Sequence, residues 1–141
     1  MDPDIWGPSA WKFLHSVSFT YPLQPSNQDK EHYKQFFEQL CYVLPCIDCC
    51  FNYQKEIETY DIDEALTSRV KLTRWVVDIH NSVNRRLGKR EMKYSVVKKT
   101  YDDYLKERTW WDNYKLYVLT GIGICGFLIF MNSVRYIKRK K

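Results

Sequence analysis

Apolar residues recur at helical spacing through most of the first hundred positions. Between positions 66 and 87 they fall three or four apart and line one helix face, which Gly88 ends. Shorter stretches of the same kind cover 8–21, 28–44 and 95–106, and Pro45 begins another that continues through Ile57. No stretch alternates with a period of two. The pattern predicts an all-α fold, a four-helix bundle with a short fifth helix.

A different pattern occupies positions 116–134, where nineteen consecutive residues carry no charge. As a helix rising about 1.5 Å per residue, this segment is long enough for the hydrocarbon core of a bilayer. Tryptophan and tyrosine lie before it and basic residues after it, as at membrane interfaces. A buried core helix is the alternative, but the segment has no polar face. The sequence therefore predicts a domain over 1–110, a C-terminal transmembrane helix over 116–134 and a basic tail over 135–141.

The net charge of +5 belongs to that tail. The first 134 residues contain 17 basic and 17 acidic side chains, so they offer no basic surplus for nucleic acid. The N-terminal residues lack the apolar segment of a secretory signal, which predicts synthesis in the cytosol. The positive-inside rule opposes translocation of the basic tail. We nevertheless expect a single-pass, membrane-anchored protein with its domain facing the cytosol.

Candidate redox chemistry lies at Cys46 and Cys49, directly after Pro45. Two cysteines at this spacing can form a disulfide, and the free N–H groups of a helix start stabilise a thiolate. In a reducing cytosol such a pair is more often catalytic or metal-binding than structural. Zinc requires a second pair of ligands at suitable spacing. Because the histidines stand alone, we predict no metal site.

A second group of polar residues interrupts the longest apolar stripe. His80 and Asn84 share one helix face, and Arg86 and Lys89 follow with further basic residues. Hydrogen-bonding side chains next to cations suit a flat, phosphate-bearing nucleotide. Trp11 and His15, four residues apart, provide a second wall for a ring. A flavin is the flat nucleotide that accepts two electrons from a dithiol, so the two groups together predict a thiol oxidase.

These residues carry a family resemblance. The chain has Trp6-Gly7-Pro8, Trp11, Leu14-His15, the Cys46/Cys49 pair and the run from His80 to Lys89 in this order. In these motifs it resembles the Erv/ALR family of FAD-linked sulfhydryl oxidases, in particular the compact members of large cytoplasmic DNA viruses. The resemblance covers about residues 3–102. A viral origin would direct the anchor to virion or host membranes.

The resemblance implies a helical homodimer that holds FAD and forms disulfide bonds in protein substrates. Cys46 would exchange with the substrate dithiol, and Cys49 would pass electrons to FAD and then to oxygen, giving hydrogen peroxide. Tyr101 occupies the place where the family often has a tryptophan near the adenine. The implied FAD contacts are Gly7, Pro8, Trp11, His15, His80, Asn81, Asn84, Lys89 and Tyr101.

The chain also departs from the cellular members. The positions of their structural disulfide hold Val77 and Tyr94, and no cysteine of a shuttle arm precedes Cys41. Substrates would then reach Cys46 directly, or through a thioredoxin-like relay protein, or through a pair formed by Cys41 and Cys50. We favour the relay protein. The alternative function is a non-enzymatic, membrane-anchored adaptor whose cysteines bind zinc or are inert.

Overall fold

The structure is a computed structural model that describes residues 1–139, without the side chains of 107–113, 116, 117, 119, 122, 123 and 130–139. All regular elements in this described part are helices, so the predicted all-α class is confirmed. The chain divides into two compact units, Met1–Tyr101 and Asp102–Lys141. The elements are α1 (Pro3–Phe19), α2 (Asn27–Gln39), a 3-10 helix (Leu40–Val43), α3 (Ile47–Thr59), α4 (Ile62–Ala65), α5 (Arg69–Arg86) and α6 (Tyr94–Arg139).

The first helix begins earlier than its apolar pattern indicates. Its cap is Asp2, whose carboxylate accepts a hydrogen bond from the N–H of Asp4 at 2.9 Å, and Pro3 occupies the first helical position. The predicted start at Pro8 is therefore wrong. Pro8 lies inside α1 and only removes one backbone hydrogen bond there.

Two further boundaries differ from the prediction. The stretch 28–44 is not one helix, because α2 tightens into the 3-10 helix and the backbone of Leu44 is extended. Between the predicted stretch through Ile57 and the one from position 66 lies the single turn α4, which Asp61 caps by accepting from two backbone N–H groups. The start of α3 after Pro45 agrees with the sequence, as does the end of α5 before Gly88.

The last helix, α6, extends past residue 106, where the apolar pattern predicted its end. Within the described residues, no helix has the length and hydropathy that a membrane span requires. Many residues of the predicted span 116–134 lie outside those with described side chains. The transmembrane helix therefore stays a prediction.

The core of residues 1–101 is formed by side chains of α1, α2, the 3-10 helix, α3 and α4 together with those of α5. Buried polar groups in it are paired with the backbone: the hydroxyl of Tyr21 donates to the carbonyl of Leu66 at 2.9 Å, and the indole of Trp75 donates to the carbonyl of Tyr60 at 2.9 Å. The main cluster comprises Leu14, Tyr21, Phe37, Cys41, Tyr53, Ile62, Ala65, Leu66, Leu72, Trp75, Val76 and Ile79. This packing fixes α1, α3 and α5 around one cavity.

Candidate active site

The cysteine pair forms a disulfide at the start of α3. Cys46 is the N-cap residue, and its sulfur accepts a hydrogen bond from the N–H of Cys49 at 3.2 Å. The disulfide joins Cys46 to Cys49, whose Cα atoms are 5.2 Å apart. Both residues are half-buried. After reduction, the free N–H groups of this first turn would stabilise a thiolate on either sulfur.

A cavity of about 570 Å³ opens beside this disulfide. Its walls come from α1, the start of α3 and the second half of α5, and its size suits a cofactor or a drug-sized ligand. Cys49 belongs to the lining, whereas Cys46 does not. Of the two residues of the disulfide, Cys49 therefore borders the cavity and Cys46 lies outside its lining.

Three aromatic rings form the inner part of the cavity. The rings of Trp11 and His80 are stacked, with centroids 4.0 Å apart and planes 3° from parallel. The Nε2 atom of His15 lies 3.0 Å from Nδ1 of His80, so one of these nitrogens donates a hydrogen bond to the other. His15 also lies near Tyr101, at 5.6 Å between centroids. A mostly apolar aromatic wall results, in which the ring of His15 is tilted by 37° against that of His80.

Both histidines are neutral at neutral pH. Desolvation by burial lowers the pKa of His15 to about 4. Desolvation also lowers the pKa of His80 to about 4, with smaller contributions from His15 and from the positive charge of Lys89. A neutral imidazole has one N–H donor and one acceptor nitrogen, which the contact between the two rings requires. The cavity wall therefore carries no positive charge from its histidines.

Two buried nitrogen atoms at the cavity have no hydrogen-bond partner among the described residues. They are Nε1 of Trp6 and Nδ1 of His15, and both residues belong to the lining. An unpaired buried polar atom lowers the stability of the fold by about 1–3 kcal/mol, so most such atoms in proteins are hydrogen-bonded. A bound molecule with polar groups would supply one. These two nitrogens therefore indicate that the cavity is built for a ligand.

Basic side chains border the same cavity. After α5, Gly88 adopts a positive φ of 64°, and the N–H of Lys89 donates to the carbonyl of Asn84 at 2.8 Å. This turn returns Lys89 to the lining, where its ammonium group lies 3.0 Å from the carboxylate of Asp4. Arg86 also lines the cavity, whereas Arg85 lies outside it and pairs with Glu91. The guanidinium of Arg86 lies 2.5 Å from the carboxylate of the buried Glu56, whereas the Asp4 carboxylate that pairs with Lys89 is exposed. Lys89 is therefore the better placed of the two cations to exchange its carboxylate for a phosphate group.

The structure brings most of the predicted site residues together. Gly7, Pro8, Trp11, His15, Cys49, His80, Asn84, Lys89 and Tyr101 all line the cavity. Asn81 is placed elsewhere: its amide donates to the carbonyl of Met92 at 3.0 Å and accepts from the N–H of Met92 at 2.8 Å. One residue after His80, it lies about 100° around the helix and joins α5 to the segment before α6.

Trp6 and Asn52 are among the polar lining residues that the sequence did not place at the site. Trp6 was noted as part of a motif, but its indole nitrogen gives no signal in the sequence that it would be buried without a partner. Asn52 lies one turn after Cys49 on α3, so the spacing of three residues could have indicated it. Both add hydrogen-bonding groups to the cavity.

Comparison with known proteins agrees with this geometry. A profile of the Erv1/Alr family matches residues 8–102. The chain belongs to the Erv1/Alr family. It is similar to a viral and a yeast sulfhydryl oxidase in sequence and to a yeast domain in structure.

The viral relative, from Acanthamoeba polyphaga mimivirus, is named a probable FAD-linked sulfhydryl oxidase and is 43% identical over 95 residues. The match covers 67% of this chain and 66% of the relative. The mitochondrial FAD-linked sulfhydryl oxidase ERV1 of Saccharomyces cerevisiae is 35% identical over 103 residues, which cover 72% of this chain and 53% of the yeast protein. The chain therefore spans less than two thirds of the length of both relatives.

A crystal structure of the FAD-binding domain of yeast Erv1 resembles the fold, with a TM-score of 0.68 and 35% sequence identity. The similarity covers 73% of this chain and 96% of the yeast domain. The cavity and its disulfide therefore lie in the part of the chain that corresponds to an FAD-binding domain.

In this member of the Erv1/Alr family, noncovalent contacts occupy the predicted positions of the missing structural disulfide. Val77 is buried, and Tyr94 packs against its cluster. The hydroxyl of Tyr94 lies 2.9 Å from that of Thr73, and the guanidinium of Arg74 lies 4.2 Å from the centroid of the Tyr94 ring. Together with the Asn81–Met92 hydrogen bonds, these contacts tie α5 to the start of α6.

Cys41 and Cys50, whose sequence positions left a second redox pair open, are in contact. Cys41 is buried, and the thiol of Cys50 is hydrogen-bonded to it. Desolvation by burial and the contact with Cys41 raise the pKa of Cys50, which lowers its thiolate fraction. Among the described residues, no three His, Cys, Asp or Glu side chains cluster as a metal site.

Proposed function

We propose that this chain is an FAD-dependent thiol oxidase that introduces disulfide bonds into protein substrates. The observation that carries the proposal is the position of the Cys46–Cys49 disulfide at the border of the cavity, with only Cys49 in the lining. One sulfur is thereby directed to substrates and the other to a bound cofactor. Family membership and the names of both relatives support the same activity.

Disulfide exchange at Cys46 accounts for substrate oxidation. A substrate thiolate attacks the sulfur of Cys46, which forms a mixed disulfide and releases Cys49 as a thiolate. The second substrate thiolate then attacks the substrate sulfur of that mixed disulfide and releases Cys46. The substrate loses two electrons and two protons, and the pair gains them as two thiols. The N–H of Cys49, already bonded to the sulfur of Cys46, stabilises the thiolate that leaves there.

The lining residues fit FAD. The unpaired nitrogens of Trp6 and His15 and the parallel rings of Trp11 and His80 suit a flat heteroaromatic group with polar edges. Lys89 would hold a phosphate group at the cavity border. When bound, FAD would supply the two-electron acceptor that reoxidises the pair and reduces oxygen to hydrogen peroxide.

The route of electrons from the substrate favours direct exchange or a separate relay protein over a second internal pair. Cys41 is only 2% exposed, so a substrate thiolate has no access to it. The raised pKa of Cys50 makes it a weak nucleophile at neutral pH. We therefore propose that Cys46 receives electrons from protein dithiols, among them a thioredoxin-like relay.

The visible spectrum and the oxygen consumption of the purified protein test the proposed function. We expect a yellow protein that releases flavin on denaturation and that consumes oxygen and forms hydrogen peroxide with dithiothreitol. A colourless protein with one equivalent of zinc and no oxygen consumption would instead support the membrane-anchored adaptor and overturn the oxidase.

We propose that the oxidase domain is anchored to a membrane by residues 116–134. The absence of charge over nineteen residues, the aromatic residues before them and the basic residues after them support the anchor. In this proposal the domain faces the cytosol, and only residues 135–141 are translocated. In a virus, the same anchor would serve virion or host membranes.

Fractionation of cells that express the full chain tests the anchor. We expect the protein to stay with the membranes after alkaline carbonate washing, and a chain that ends at residue 110 to be released. Protease added to intact membranes should digest the oxidase domain if it faces the cytosol. Complete extraction of the full chain by carbonate would contradict the anchor, and full protection from protease would reverse the topology.

We also propose that the domain forms a homodimer, as its family resemblance implies. Exposed aromatic surface supports this, because the ring of Phe13, at the border of the cavity, is more than half exposed and packs edge-to-face on Phe36 of α2. Two copies could bury these aromatic rings against each other. Light scattering of the purified oxidase domain should give the mass of two chains, and a monomer at all concentrations would contradict the dimer.

A further inference from the structure

Four large apolar side chains are exposed on either side of Cys46. Tyr42 and Val43, in the 3-10 helix, are 70% and 75% exposed, and Ile47 and Phe51, in α3, are 72% and 56% exposed. We refer to these four residues as the apolar rim. Val43 is three residues from Cys46 and lies within about 11 Å of it along the chain. On the other side, Phe51 is about 7.5 Å from Cys46 along the axis of α3.

The outward face of α3 carries its large apolar side chains at the end with the disulfide, where the charged Asp48 is also exposed. Ile47 and Phe51 are one turn apart on this face. The outward positions that follow are the exposed, charged residues Lys55 and Glu58. A solvent-exposed helix face of a soluble domain is usually polar throughout. The large exposed apolar side chains of α3 therefore lie in the two turns nearest the reactive sulfur, with the charged Asp48 between them.

We propose that the apolar rim is a docking surface for protein substrates whose dithiol is flanked by apolar residues. This inference rests on the proposed function and deepens it by naming the substrate class. The mixed disulfide with Cys46 determines the occupant, because it holds the substrate chain within two or three residues of the rim on both sides. An apolar side chain next to the substrate cysteine would then be removed from water by packing on Ile47 and Phe51, or on Tyr42 and Val43 on the other side.

The rim would select substrates before the covalent step. It contributes binding without touching the reacting sulfurs, so its loss should raise KM for an apolar substrate and leave kcat almost unchanged. A small dithiol such as dithiothreitol reaches Cys46 without covering the rim, and its oxidation should not depend on these residues.

Two synthetic peptides test the proposal with the full oxidase holding its FAD. They share one Cys-x-x-Cys sequence, flanked by leucine and phenylalanine in the first and by serine and glycine in the second. We expect wild-type kcat/KM to be about 10-fold higher for the first peptide, and Ile47→Ser with Phe51→Ser to reduce this preference to about threefold through KM, because the other half of the rim remains. Tyr42→Ser with Val43→Ser, on the other side of Cys46, should have the same effect.

Val70→Ser is the matched control, because Val70 is 53% exposed at the start of α5 and does not line the cavity. It should keep the wild-type preference. Equal wild-type kcat/KM for the two peptides, or an unchanged preference in both double variants, would overturn the docking surface.

Two further measurements distinguish a substrate-docking rim from a dimer contact and from an inactive protein. If either double variant converts a wild-type dimer to a monomer in light scattering, the rim is a contact between copies and the proposal is wrong. If the wild type fails to oxidise dithiothreitol, the proposed function fails and the docking surface fails with it. Retained flavin absorbance at the wild-type level shows that the variants are folded.

Discussion

Replacement of Cys49 by serine is expected to lower oxygen consumption with dithiothreitol by at least about 1,000-fold, because a hydroxyl neither forms the disulfide nor carries the electron pair. Cys46→Ser should have an effect of the same size, since substrate exchange requires the Cys46 sulfur. Flavin absorbance should stay at the wild-type level in both variants. An oxygen electrode and the visible spectrum provide the two measurements.

Cys50→Ser is the matched control for this experiment. Cys50 follows Cys49 directly on α3, but it contacts Cys41 rather than lining the cavity. We expect its turnover to remain within about twofold of the wild type, as for a surface or half-buried position without a catalytic role. Normal turnover in Cys49→Ser would refute the assignment of the redox pair. A large loss in Cys50→Ser would instead point to a second internal pair.

Replacement of Trp11 by alanine should raise the dissociation constant for FAD by about 10- to 100-fold, since the stacking of a flat heterocycle on an aromatic side chain contributes about 1–3 kcal/mol. Trp11 provides one wall of the cavity and holds His80 by ring stacking at 4.0 Å. Its loss would remove a contact surface and free the imidazole of His80. Flavin fluorescence during titration of the apoprotein measures the constant.

Trp11→Phe provides a graded comparison at the same site. It keeps a flat ring of smaller area, so its affinity should lie between those of the wild type and Trp11→Ala. Equal affinity in all three proteins would show that the ring of Trp11 does not contact the flavin. Circular dichroism of the apoproteins would separate a loss of affinity from a loss of fold.

The parts of the site that follow from short-range spacing were predictable. The single apolar face of α5 predicted that His80 and Asn84 lie on one side, and both line the cavity. Pro45 before Cys46 predicted a helix start, and α3 begins at Ile47. Spacing of three or four residues determines which side chains share a face. Neither statement required knowledge of the tertiary structure.

Contacts between distant segments were not predictable in this way. The hydrogen bond between His15 and His80 joins residues 65 positions apart, and nothing in the local pattern of α1 or α5 specifies it. Asn81 shares a motif with His80, but the route of the chain before α6 decides that its amide binds Met92. The start of α1 was missed because the cap at Asp2 precedes the apolar stripe.

The noncovalent link between α5 and α6 has a consequence for the order of events in the cell. Tyr94 and Val77 secure the cavity by packing, and Asn81 does so by hydrogen bonds to Met92. Thiol reductants break none of these contacts, so reductants act on the Cys46–Cys49 bond without opening the cavity wall. A newly made chain can therefore assemble its cofactor site while all its cysteines are still reduced.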